Sequence, residues 1–208
     1  MTDLRRDPAA RRPSRRGARA GRRARVFALL LLGLAGGTGG AEAAVSRLGP
    51  APNFALTTSQ NGRVWLTQLR PRVAVLTFGC TRCVECAATL TRLADTARGL
   101  GDTAGRRAFF VLVSVDPRQD TPAALRAFGR ERGLRAPAWL LLTGDPEEIE
   151  VVTRRYDVPV RKDGDRVAPR CLTALVDGQG QLRAAYDQTD LDRLAADLAA
   201  VLAEGRLR

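Results

Sequence analysis

One stretch limits the architecture of this chain more than any other: Val73-Ala74-Val75-Leu76-Thr77-Phe78, which runs into Gly79 and then Cys80-Thr81-Arg82-Cys83-Val84-Glu85-Cys86. A strand that is apolar at odd and even positions alike has no side to give to water, so it belongs inside a sheet covered on both faces. Residues 84 to 100 follow with Ala88, Leu90, Leu93, Ala94, Ala97 and Leu100 at helical spacing, and Phe109 to Val115 is a second buried strand. Three cysteines therefore sit where a central strand hands over to a helix.

The remaining elements read from punctuation. Phe54 to Thr58 and Arg63 to Leu66 flank Gln60-Asn61-Gly62, a hairpin whose Asn-Gly supplies positive φ angles. Thr121 is a helix N-cap with Pro122 at the first helical position. Trp139 to Leu142 is a third strand, and Asp145-Pro146-Glu147-Glu148 opens a helix with Asp as the cap and Glu three residues on. Leu172 to Asp177, the turn Gly178-Gln179-Gly180, and Leu182 to Tyr186 form a closing hairpin before an amphipathic helix from about Asp190. Trp65 and Trp139 read as packing residues. The order predicts an α/β, thioredoxin-like fold: a central mixed sheet flanked by helices, with an N-terminal hairpin extension, over residues 51 to 208.

Net charge is +12 over 208 residues, but it is unevenly placed. Ten of the 34 basic residues and only three of the 22 acidic ones fall in residues 1 to 43, leaving a body of 24 against 19, or +5. Basic residues in that body are scattered, so no phosphate-binding face and no nucleic-acid partner is expected. The first 43 residues read as an export signal: an Arg-rich start, an apolar stretch from Val26 to about Ala35, and an A-x-A cleavage pattern at Ala41-Glu42-Ala43. The apolar stretch breaks at Gly36-Gly37-Thr38-Gly39-Gly40, short of the roughly 20 residues a spanning helix wants. An uncleaved membrane anchor, with membrane association through the N-terminus, is the rival reading. Residues 44 to 50 form a short linker. Export places the protein in the periplasm or another extracytoplasmic, oxidising space, where a dithiol must be kept reduced or held by metal.

The chain has four cysteines and no histidine. Cysteines at this spacing suit disulfide exchange or a soft metal, and either must proceed with sulfur alone. Cys83 falls at the start of the helix from Val84, where unpaired N–H groups and the helix dipole favour a thiolate, with a pKa expected below about 8.5. Cys86, three residues on, can resolve a mixed disulfide, and Cys83 and Cys86 form the expected catalytic pair and the expected bridge of the oxidised protein. Arg82 adds positive charge, Glu85 opposes it, and Asp116 and Asp120 bear on the site or serve as strand-end and cap residues. Cys80 reads as a small buried thiol at a strand end.

The run Phe78-Gly79-Cys80-Thr81-Arg82-Cys83, the segment Ser114-Val115-Asp116-Pro117-Arg118-Gln119-Asp120-Thr121-Pro122, then Leu142-Thr143-Gly144 and Leu175-Val176-Asp177 together resemble the Sco/SenC family of copper chaperones. The resemblance implies an extracytoplasmic protein that delivers copper to, or reduces the cysteines of, the binuclear copper site of a respiratory oxidase; its partner would be that copper-site subunit or another exported thiol protein. The family's cysteines are separated by three residues and accompanied by a metal-binding histidine. Carried over, they fall on Cys83 and Cys86, separated by two, and no histidine can be carried over. Cys171 falls at or beside the cis-proline position that faces the cysteines in thioredoxin-like folds, so Cys83, Cys86 and Cys171 could bind Cu(I) as a three-thiolate metal site. Two further readings stand beside this one: a thiol-disulfide oxidoreductase that binds no copper, and a thiol peroxidase using Cys83.

Overall fold

The computed structural model describes residues 45–164 and 166–205, all within one compact unit. The segment read as an export signal, 1 to 43, lies outside them. The strands are β1 (Gly49–Pro50), β2 (Ala55–Thr58), β3 (Arg63–Trp65), β4 (Val73–Gly79), β5 (Ala108–Ser114), β6 (Trp139–Thr143), β7 (Val160–Asp163), β8 (Arg166–Pro169), β9 (Thr173–Val176) and β10 (Gln181–Tyr186). The helices are α1 (Ala87–Gly99), α2 (Pro122–Arg132), α3 (Pro146–Arg155) and α4 (Leu194–Glu204). Eight strands form one sheet in the order β1-β10-β9-β4-β5-β6-β2-β3, and β7 pairs with β8 separately. β4, β5 and β6 are parallel, while β9 lies antiparallel to β4 and β2 antiparallel to β6. The expected central mixed sheet flanked by helices is present.

Every residue of β4 is buried, as its two-sided apolar run requires. Its side chains alternate between two cores. Val73 and Val75 pack with Leu90 and Leu93 of α1, Leu125 of α2 and Leu198 of α4. Ala74, Leu76 and Phe78 face the other way, onto Ile149, Val152 and Tyr156 of α3 and its C-terminal end. Three helices thus cover one face and α3 the other. Burial pushes the Tyr156 phenol well above its ordinary range, and its hydroxyl donates to the carbonyl of Pro52 at 2.8 Å.

The local signals hold where they are chemical. Thr121 Oγ1 accepts from the Ala124 N–H at 3.2 Å with Pro122 opening α2, and Glu148 Oε2 accepts from the Asp145 N–H at 3.0 Å to start α3. In the β2–β3 turn Asn61 takes the positive φ, 64°, while Gly62 does not need one. Two features differ from expectation. Residues 45 to 50 are not a free linker: Gly49 and Pro50 pair with β10, and the Val45 and Ser46 carbonyls accept from Arg183. The β7–β8 hairpin was not foreseen, because Pro159, Pro169 and Gly164 interrupt a segment without alternation. The β2–β3 hairpin joins the main sheet through β6.

Candidate functional site

Gly79 ends β4 opposite Ser114 of β5, so the turn after β4 lies beside the loop after β5. Cys80 is the first residue beyond the strand. The Cys83 N–H donates to the Cys80 carbonyl at 3.2 Å, and the Cys86 N–H donates to the Cys83 carbonyl at 3.1 Å. These successive tight turns make Val84–Cys86 a short 3-10 helix capped by Cys83, which continues directly into α1. On the other side of β4, Phe78 N–H donates to the Leu172 carbonyl at 3.1 Å, holding Cys171 against the same strand end.

All four cysteines gather here, and they pair as Cys80–Cys83 and Cys86–Cys171, with Cα separations of 5.0 and 5.5 Å. No cysteine among the described residues is free. The expected Cys83–Cys86 bridge is therefore not the one observed. Two-residue spacing occurs twice in this run, and the orientation of Cys86 decides between them. Cys86 points into the core, its sulfur 3.8 Å from the Phe78 carbonyl, and meets Cys171 across β4. Cys83, left at the turn, closes on Cys80. Cys80 is buried as expected, but as half of a bridge.

The turn is held by a carboxylate with no exposed surface. Asp120 accepts from the Thr81 N–H at 3.0 Å, from Thr81 Oγ1 at 2.5 Å and from Ser114 Oγ at 2.6 Å. Ser114 Oγ in turn accepts from the Asp116 N–H at 3.1 Å, and Asp116 accepts from the exposed Arg82 guanidinium at 3.3 Å. Asp120 thus positions the Cys80–Cys83 loop rather than merely starting α2, a role that the recurrence of Ser, Asp and Asp in 114 to 120 signals only once β4 and β5 are known to be neighbours. Glu85 contributes its backbone, whose carbonyl accepts from Gln188 Nε2 at 2.6 Å.

Beside the outer bridge, the Val167 carbonyl of β8 lies 3.5 Å from Cys83 Sγ. Val167 also lines a groove of about 620 Å³ shared with Val115, Asp116, Pro117, Ile149 and Val158. Cys171, expected at or beside the position that faces the cysteines in thioredoxin-like folds, does meet one of them, Cys86, with Cα atoms 5.5 Å apart; the cis peptides among the described residues lie elsewhere, at Arg70–Pro71 and Ala136–Pro137. Of the three residues read as a copper site, Cys86 and Cys171 are bonded to each other and Cys83 is bonded to Cys80. Among the described residues no group of three or more His, Cys, Asp or Glu side chains is placed to hold a metal ion, so Cys83, Cys86 and Cys171 can offer thiolates only after both bridges are reduced.

The profile of the SCO1/SenC family matches residues 45–203. "Protein SCO1 homolog 1, mitochondrial" of Arabidopsis thaliana is 33% identical over 106 residues, half of this chain and 31% of that protein's own length. Arabidopsis ScoI with copper bound superposes with a TM-score of 0.63 at 27% identity, over 74% of this chain and 98% of that one. Apo Sco1 of Thermus thermophilus gives 0.63 at 31% identity, over 76% and 95%. The fold is thioredoxin-like, the matched region contains all four cysteines, and the chain belongs to the SCO1/SenC family.

Proposed function

We propose that this protein is an exported thiol-disulfide exchange protein acting on the cysteines of the copper site of a respiratory oxidase, with Cys83 as the exchanging sulfur. The observation that carries this reading is the pairing of all four cysteines at one strand end, at the start of a helix, in a chain without imidazole. Cys83 caps the first turn, where N–H groups stabilise a departing or attacking thiolate. Cys80, rather than Cys86, is its immediate partner. In the reduced protein Cys83 attacks an oxidised target, Cys80 resolves the mixed disulfide, and two electrons pass to the target. The test mixes reduced full-length protein with an oxidised copper-site domain and follows target thiols. Release of two target thiols per protein bridge formed is expected, and no release overturns the reading.

A second reading is favoured by the copper-bound Arabidopsis relative and by the placement of both bridges, which include Cys83, Cys86 and Cys171, at the end of β4. The fully reduced protein would carry Cu(I) as cargo on these three thiolates and hold Cu(II) poorly, lacking a nitrogen donor. Anaerobic Cu(I) competition on reduced full-length protein checks it. Cys171→Ser is expected to weaken binding at least tenfold, about 1.4 kcal/mol, and unchanged affinity removes Cys171 from the site.

A further inference from the structure

We infer that the two disulfides form an internal relay, in which the Cys86–Cys171 bridge exchanges electrons with partners only through Cys80 and Cys83; this rests on the exchange reading above. Residue exposure alone does not rank the pairs, at 2% and 4% for Cys80 and Cys83 against 1% and 2% for Cys86 and Cys171. Their neighbours do. Cys83 lies between Arg82 and Val84, whose side chain and residue are 55% and 72% exposed, and beside the groove that Val167 lines. Cys86 is packed against the β4 backbone: a Cβ added at Gly79 would sit 3.5 Å from Cys86 Cβ and 3.6 Å from its sulfur. The Phe78 carbonyl of the same strand is 3.8 Å from Cys86 Sγ, and the Pro169 carbonyl is 3.8 Å from Cys171 Sγ. A partner thiolate must approach in line with the sulfur–sulfur bond, and the outer pair is the one flanked by exposed residues, Arg82 and Val84.

The pairs are nonetheless within reach of each other. Cys83 and Cys86 are three residues apart on one tight turn, joined by a 3.1 Å hydrogen bond. Cβ atoms at that spacing on a helical turn lie about 5–6 Å apart, a short shift from the roughly 4 Å of a bridge. The 83–86 bridge is then a transient rather than a resting state.

Loading begins with a partner dithiol. One of its thiolates attacks the Cys80–Cys83 bond, its second thiolate resolves the mixed disulfide, and the partner leaves oxidised with two electrons transferred. Cys83 thiolate then attacks Cys86 Sγ, forming Cys83–Cys86 and expelling Cys171 thiolate. Cys80 thiolate attacks Cys83 Sγ, re-forming Cys80–Cys83 and expelling Cys86 thiolate. The two protons lost by Cys80 and Cys83 are balanced by the two taken up at Cys86 and Cys171. A second partner dithiol reduces the outer bridge again, so the chain stores four electrons, and the inner dithiol returns two of them to the outer pair during delivery. Full reduction is also the state that exposes Cys83, Cys86 and Cys171 as thiolates together.

The experiment uses full-length protein and dithiothreitol, with timed alkylation and mass mapping. In the wild type both bridges open, the outer one first. In Cys80→Ser/Cys83→Ser, folded by circular dichroism, Cys86–Cys171 is expected to open at least about tenfold more slowly, the loss expected when only direct attack remains. Equal rates would overturn the relay and leave the exchange reading standing. A wild-type outer bridge that resists dithiothreitol would overturn the exchange reading itself. The single variant Cys80→Ser, which keeps Cys83 but cannot resolve, is expected to accumulate a Cys83–Cys86 bridge with Cys171 free, and its absence would count against the relay even if the double variant fails to fold.

Discussion

Asp120 shows how one side chain can set the chemistry of others. Its carboxylate, with no exposed surface, satisfies a backbone N–H and two hydroxyls, and so fixes the turn that brings Cys80 and Cys83 together. Asp120→Ala leaves the buried Ser114 hydroxyl and the part-buried Thr81 donors without this acceptor, and a loss of about 3 kcal/mol is expected, measured by urea denaturation of the oxidised protein. A variant as stable as wild type would mean that the turn is held by the disulfide alone. At this scale the sequence was partly legible. Cys83, Cys86 and Cys171 were identifiable as one group, but Cys80 read only as a small buried thiol, and spacing could not reveal the pairing because 80/83 and 83/86 are equivalent by it. The deciding fact, that Cys171 arrives under Cys86 from 85 residues away, is tertiary.

Among the elements, β10 and α4 are joined by an ion network that no local pattern announces. The Arg183 side chain is 2% exposed and donates to Asp177 Oδ2 at 3.2 Å and to Glu204 at 2.8 Å, as well as to the Val45 and Ser46 carbonyls. Arg183→Leu strands a buried Asp177 and should cost about 3–5 kcal/mol in thermal or chemical unfolding; a neutral effect would show that Asp177 is adequately held by the N–H groups of Gln179 and Gln181. Hydrogen bonding to Arg183 holds the Glu204 carboxyl below its usual range, against the opposing effect of burial. Its folded pKa is thus lower than its unfolded one, near 4.3. The stabilisation is fully present above that value and is lost as pH falls through the folded pKa. Wild type should therefore exceed Glu204→Gln at pH 7 by no more than about 1 kcal/mol, since Glu204 is 34% exposed, and the gap should close below pH 4. A gap independent of pH would assign the difference to packing. Elements with chemical signals, such as the caps of α2 and α3 and the two-sided β4, were readable. The strands β1, β7 and β8 were not, because two-residue pairing at a sheet edge and a hairpin broken by Pro and Gly leave no periodic trace.

The whole molecule gathers its two disulfides at one end of the central strand, and the sequence before it reads as an export signal. The exported form should begin at about Ala44, checked by N-terminal sequencing; recovery of the intact chain only in membranes would mean an anchor instead. Among the described residues no helix is long and apolar enough to cross a membrane. At this scale the family and the α/β fold were legible from the order of elements and from the Ser-Val-Asp-Pro…Asp-Thr-Pro segment, while the state of the sulfurs required the folded chain. That state is the claim on which exchange, relay and copper loading all depend, and a non-reduced digest of the full-length oxidised protein reads it directly. Trypsin cuts after Arg72, Arg82, Arg92, Arg170 and Arg183, and a Glu-specific protease cuts after Glu85, so each cysteine falls on its own peptide. The account predicts Cys80 linked to the Cys83 peptide and Cys86 linked to the Cys171 peptide; a peptide pair joining Cys83 to Cys86 in the resting protein, or free Cys80 and Cys171, would contradict it.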